Sequence, residues 1–144
     1  MFIGEYSHNL DEKGRLAIPA KLRALLTDGA VVTRGLDNCL FLYPKTEWME
    51  LAKKWASLPI MSQAQARDFT RLMISGAMDL DFDTQGRVNL PEYLRDFATL
   101  KKKVVVIGLY DHLEIWDEDK WKIYKANIEN KSNDIAAGLK ELGV

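Results

Sequence analysis

A chain of 144 residues, 47% hydrophobic and 28% charged, has room for one domain or two small intertwined ones with a soluble surface. No apolar run approaches the roughly 18 to 20 residues that span a bilayer, and Met1-Phe2-Ile3-Gly4-Glu5 does not read as a signal peptide, so a cytoplasmic protein with no membrane partner is expected. The net charge of −1 excludes a generic polyanion binder, but residues 1–72 carry ten Lys/Arg against eight Asp/Glu and residues 73–144 ten against thirteen, which places any nucleic-acid contact on a local patch of the first half.

Gly4, Tyr6, His8 and Leu10 alternate along one face, the period-two pattern of a half-buried strand. Asp11-Glu12-Lys13-Gly14 is a turn, since an Asp side chain can accept from amides two residues on and Gly tolerates positive φ. A short strand, Leu16 to Ile18, ends at Pro19, which suits the first position of a helix. Helical turns with Leu22, Leu25 and Leu26 follow, then buried-type strands at Ala30–Thr33 and Cys39–Tyr43. Pro44 precedes a helix with Trp48, Leu51, Ala52 and Trp55 at helical spacing. After Pro59, Ser62-Gln63-Ala64-Gln65 has the form of a capping box, with Ala66, Phe69, Leu72 and Met73 on one stripe behind it.

The succession then recurs. Gly4 to Pro19 aligns with Gly76 to Pro91 at an offset of 72, sharing D-x-x-G-R-x-x-x-P, and Leu22-Arg23 aligns with Leu94-Arg95. At an offset of 73, Gly35-Leu36, Leu40, Leu42, Tyr43 and Trp48 match Gly108-Leu109, Leu113, Ile115, Trp116 and Trp121. A match of this extent is a duplication. Strands are expected at Val88–Leu90, Val104–Ile107 and His112–Trp116, and a helix from Trp121 through Tyr124 and Ile128. The expected organisation is a first repeat with its helix at 1–58, a connecting helix at 59–75, a second repeat with its helix at 76–130, and a tail at 131–144 in which Ile135, Leu139 and Leu142 form one more amphipathic stretch. One unit alone leaves open sheet edges. The expected α+β fold is therefore a pseudo-twofold β-barrel, built from both copies and flanked by helices.

Asp11-Glu12-Lys13-Gly14-Arg15-Leu16-Ala17-Ile18-Pro19, the second Asp83-x-x-Gly86-Arg87-x-x-x-Pro91 and Leu40-x-Leu42-Tyr43-Pro44-x-x-x-Trp48 together resemble the MraZ family, over roughly residues 1–130. The resemblance implies two tandem AbrB-like swapped-hairpin units. It also implies a bacterial transcription regulator of the division and cell-wall gene cluster, nucleoid-associated, binding short direct repeats in promoter DNA as a ring-shaped homo-oligomer. The DNA contacts of the family's first turn carry over to Lys13, Gly14 and Arg15 here. Arg87 is the counterpart of Arg15, but Gln85 stands where the first turn has Lys13.

Physical chemistry alone leaves two roles open for Arg15: bidentate donation to guanine O6 and N7, or an ion pair with Asp11 or Glu12 across the turn. Lys21 and Arg23 raise positions 11–23 to four positive against two negative charges, although an ordinary solvated helix face accounts for both. Lys101-Lys102-Lys103 reads as a solvated turn. His8 reads as a partly buried core residue, and neither His8 nor His112 belongs to a metal set; a lone Cys39 forms no internal disulfide. The acidic run Asp79, Asp81, Asp83 lacks the glycine and distal glutamate of a calcium loop. No nucleophile, phosphate-loop or dinucleotide motif is present, so neither enzymatic activity nor a cofactor is expected. The alternative to a DNA-binding regulator is an oligomeric protein-interaction module.

Overall fold

The computed structural model describes every residue from Met1 to Val144, and its first element follows the alternation of the sequence. In β1 (Phe2–Asn9) Tyr6 and His8 are half-buried, whereas Glu5, Ser7 and Asn9 are exposed. The Asp11–Gly14 turn leads to β2 (Arg15–Ala17), in which Leu16 is fully buried between half-exposed neighbours. Pro19 then opens a single helical turn, α1 (Ala20–Arg23). The hairpin strands β3 (Ala30–Arg34) and β4 (Leu40–Pro44) precede two longer helices, α2 (Lys45–Ala56) and α3 (Ala64–Ser75). Next come β5 (Met78–Leu80), β6 (Arg87–Asn89), α4 (Glu92–Phe97), β7 (Lys103–Tyr110), β8 (Leu113–Asp117) and α5 (Glu118–Asn130). The chain closes with α6 (Ser132–Gly138) and a 3₁₀ turn at Lys140–Leu142. No helix is long and apolar enough to cross a membrane.

The strands make one six-stranded antiparallel sheet, ordered β1-β7-β8-β4-β3-β5, and a separate two-stranded ribbon, β2-β6. The first strand of each half pairs with a strand of the other half: β1 with β7 over eight residues, β5 with β3 over three. Leu16 faces Val88 in the ribbon, and Leu40↔Ile115 with Leu42↔Leu113 join β4 to β8. The expected closed barrel does not form, because β1 and β5 stand at opposite edges of an open sheet. The β5 edge is also short, three residues against the eight of β1. There α3 runs to Ser75, and its end is fastened by Arg34 Nη1 donating to Leu72 O (2.9 Å) and Thr33 Oγ1 donating to Met73 O (2.6 Å), which leaves little chain for a strand.

Two apolar clusters lie on opposite faces of the sheet. One joins the sheet to the ribbon and the short helices through Leu16, Leu22, Val32, Leu42, Val88, Leu94 and Ile115, among others. The other packs Phe41, Tyr43, Met73, Val105 and Trp116 against Trp48, Trp55, Phe69 and Trp121 of α2, α3 and α5. Each fully buried Leu or Val contributes about 1.5–3 kcal/mol relative to exposure, so the inner faces of β2 and β6 anchor the ribbon firmly. Helix and strand ends correct some expectations. α3 starts after Gln63 with no side-chain cap, so the Ser62 capping box is not formed. Leu25 and Leu72 point outward, 42% and 53% exposed, because Leu26 and Met73 occupy the inward positions next to them. Ile135, Leu139 and Leu142 are all exposed, so the tail has no buried face within the chain. The repeat offset also changes along the chain. His8 opposes Val104 and its counterpart Leu80 opposes Ala30, which sets β3 one residue out of step with the sequence alignment at 73.

Candidate nucleic-acid interface

The first turn is built around one carboxylate. Asp11 Oδ1 accepts from the amides of Lys13 (2.9 Å) and Arg15 (2.8 Å), and Oδ2 accepts from Arg15 Nε (2.6 Å). Gly14, at φ +80°, completes the reversal with its amide donating to Asp11 O (3.0 Å). The second turn repeats the arrangement. Asp83 Oδ1 accepts from Gln85 and Arg87 amides (both 2.9 Å), and Oδ2 pairs with Arg87 Nε (2.8 Å). In each turn the amide of the arginine is the chief cause holding the aspartate carboxyl below its ordinary value, and the guanidinium adds to it.

Both arginines stand on the outer face of the ribbon, since Leu16 and Val88 take the inner one. Antiparallel pairing sets Arg15 opposite Asn89 and Arg87 opposite Ala17, and further amide bonds tie each strand to the other turn: Leu90 N to Gly14 O (2.9 Å) and Ile18 N to Gly86 O (3.2 Å). Arg87 Nη1 also lies 3.8 Å from Asp11 Oδ2, so the two turns form one row of alternating charge. The ion pair across the turn, one of the two roles the sequence allows Arg15, is therefore present. It uses only Nε, however, and both terminal nitrogens of Arg15 have no protein partner. Such a side chain is pre-oriented and can still donate through its fork.

The pairing between halves rearranges the charges. Arg23 packs against Gly86 of the second turn, where an added Cβ would fall on its guanidinium. Arg95 packs against Gly14 of the first, with Nε 2.6 Å from where a Cβ would stand, and donates from Nε to Leu90 O (3.0 Å). Arg23 is thus separated from the Lys13 and Arg15 with which sequence order groups it, and Lys21 is an exposed residue of α1. Leu10 N donates to Lys102 O (2.7 Å), which draws the lysine run to the edge of the first turn. A groove of about 430 Å³ there is lined by Leu10, Asp11, Glu12, Arg95, Leu100, Lys101 and Lys102. The sequence reads Lys101-Lys102-Lys103 as a solvated turn, and all three are exposed; it does not join them or Arg95 to the first turn. Three basic residues in a loop are uninformative until strand pairing gives them neighbours.

The other singled-out residues have structural surroundings. His112 stacks on Tyr43 with centroids 4.8 Å apart. Burial pushes the Cys39 thiol well above its ordinary pKa, and its Sγ donates to Leu36 O (3.1 Å). Asp79 lies 3.8 Å from Lys45 Nζ. Glu5 accepts from Trp121 Nε1 (2.6 Å) and pairs with Lys125 (2.9 Å); the tryptophan bond is the main cause lowering its carboxyl pKa.

A family model described as "MraZ protein, putative antitoxin-like" matches residues 1–72 and again residues 73–141. The chain is 50% identical over 144 residues to a protein of Halothermothrix orenii, 47% to one of Syntrophomonas wolfei and 45% to one of Natranaerobius thermophilus. Each comparison spans 100% of both chains, and each of these relatives is named "Transcriptional regulator MraZ".

Proposed function

The chain belongs to the MraZ family, and on that premise we propose that it is a transcription regulator that reads promoter DNA with the outer face of the β2–β6 ribbon. The observation that carries this is Arg15: a guanidinium fixed through Nε to a rigid turn, with its fork unpartnered. Lys13 belongs to the same contact as an exposed phosphate partner, and Gly14, buried beneath Arg95, shapes the turn that presents it. Arg87 makes a second, weaker contact of the phosphate type, since its Nη1 already faces Asp11. Lys21 contributes charge only, and Arg23 serves the second turn. No catalytic role and no cofactor enter this mechanism.

The fold is proposed to be two tandem AbrB-like swapped-hairpin units, a reading supported by the pairing of β1 with β7 and of β5 with β3. A single bidentate contact discriminates by roughly 1–3 kcal/mol, against the roughly 4–10 kcal/mol that separates specific from non-specific binding. Several subunits of a ring-shaped homo-oligomer, engaging successive direct repeats, supply the difference through effective concentration. Exposed Ile3, Leu109 and Tyr110 beside the open β1 edge offer apolar surface for the subunit contact. The setting proposed is the bacterial cytoplasm and nucleoid, at the promoter of the division and cell-wall genes.

The test is a gel shift on the DNA upstream of the protein's own coding sequence, run across salt concentrations, with one repeat displaced by half a helical turn in a parallel duplex. Log affinity should fall linearly with log salt, and displacement should weaken binding as much as deletion of that repeat. No retained DNA at low salt would make the chain a protein-interaction module instead.

A further inference from the structure

Resting on the DNA reading above, we propose that the groove beside the first turn is a clamp for the phosphate backbone, formed by Arg95, Lys101 and Lys102. All three belong to the second half of the chain, and strand exchange delivers them to the turn of the first. Arg95 is held in place, Nε on Leu90 O at 3.0 Å and its guanidinium against Gly14, which leaves its terminal nitrogens without a protein partner. The backbone of Lys102 is anchored by Leu10 N at 2.7 Å. Both lysines are exposed, and neither enters any ion pair of the chain.

The groove also contains two carboxylates. Asp11 is already bound to Arg15 at 2.6 Å, so Glu12 alone opposes three cations. That surplus suits a phosphodiester, whose oxygens need donors and positive charge but no base-specific geometry.

The clamp is one-sided. Around the second turn Arg23 takes the place of Arg95, but Leu26-Thr27-Asp28-Gly29 leads into β3 where Leu100-Lys101-Lys102 leads into β7. An otherwise near-symmetric protein therefore carries this clamp at one turn only. A single clamp gives each subunit a direction along the duplex, which suits direct repeats and not a palindrome.

The experiment uses the full chain, fluorescence anisotropy, and two probes: a mixed-sequence duplex and the duplex from upstream of the coding sequence. Each neutralised phosphate adds about 0.9 to the slope of log affinity against log salt. The K101Q/K102Q variant should lower that slope by about 2 on both probes, so that roughly tenfold less affinity is lost over a fourfold rise in salt. The preference between the probes should not change, and both lysines are exposed, so the melting curve should stay that of the wild type. The K53Q/K54Q variant, altered on α2 across the sheet, should keep the wild-type slope. An unchanged slope in K101Q/K102Q overturns the clamp, as does an equal fall in K53Q/K54Q. If Arg15→Ala still weakens binding in that case, base reading by the ribbon stands. A wild-type protein that binds neither duplex removes both proposals together.

Discussion

Arg15→Ala and Arg87→Ala make a matched pair of perturbations at equivalent positions. Both side chains are partly exposed, 34% and 25%, and both donate from Nε to their own turn's aspartate. They differ at the fork. Arg15 has two free terminal nitrogens, whereas Arg87 Nη1 stands 3.8 Å from Asp11 Oδ2 and is drawn toward a second carboxylate. A bidentate guanine contact is worth about 1–3 kcal/mol, roughly 5- to 150-fold in affinity at one turn. Arg15→Ala should lose most of that range, with preference for the natural duplex falling alongside affinity. Arg87→Ala should lose only a phosphate-type contact, a slope change of about 1 against log salt. The assay is anisotropy with the upstream and mixed-sequence duplexes, with unfolding followed in parallel to show that both variants fold. Equal losses of preference in the two variants, or a larger one in Arg87→Ala, would refute the reasoning from fork occupancy.

Leu16→Ala, at a fully buried position facing Val88, should destabilise the protein by about 2–5 kcal/mol in urea unfolding. Leu72→Ala, 53% exposed, should stay within about 0.5 kcal/mol of wild type. The Asp11 and Asp83 carboxyls titrate below their unfolded value, so their contribution to stability is present above the ordinary carboxylate pKa and lost as pH falls through the depressed one. Carboxyl NMR should show Asp11 still depressed in Arg15→Ala, because the amide of residue 15 is the larger cause and survives the substitution. Trp121→Phe removes the chief donor to Glu5, and the same titration should move that carboxyl up toward its ordinary value.

Local rules account for what was legible in the sequence. Asp11 and Asp83 stand where their side chains can accept from amides two and four residues on, and Gly14 and Gly86 stand where φ is positive. Leu16 and Val88 are fully buried and Arg15 and Arg87 lie outside, because successive side chains of a strand point to opposite faces. The helical stripe in α3 was read less well. Phe69 and Met73 pack inward while Leu72 does not, since adjacent residues on a helix cannot both lie at the centre of its buried face.

By itself, then, the sequence determined the duplicated order of elements, the two aspartate turns and the face each strand buries, because each depends on neighbours a few residues away. It did not determine which strands meet. Alternation says which side of a strand is apolar and nothing about its partner. The open sheet, the pairing of β1 with β7, the exchange of Arg23 and Arg95 between the turns, and the arrival of Lys101 and Lys102 beside Asp11 were decided only in the tertiary structure. Each rests on hydrogen bonds and packing between residues far apart in the chain, such as Leu10 N on Lys102 O, whose energy no local pattern encodes.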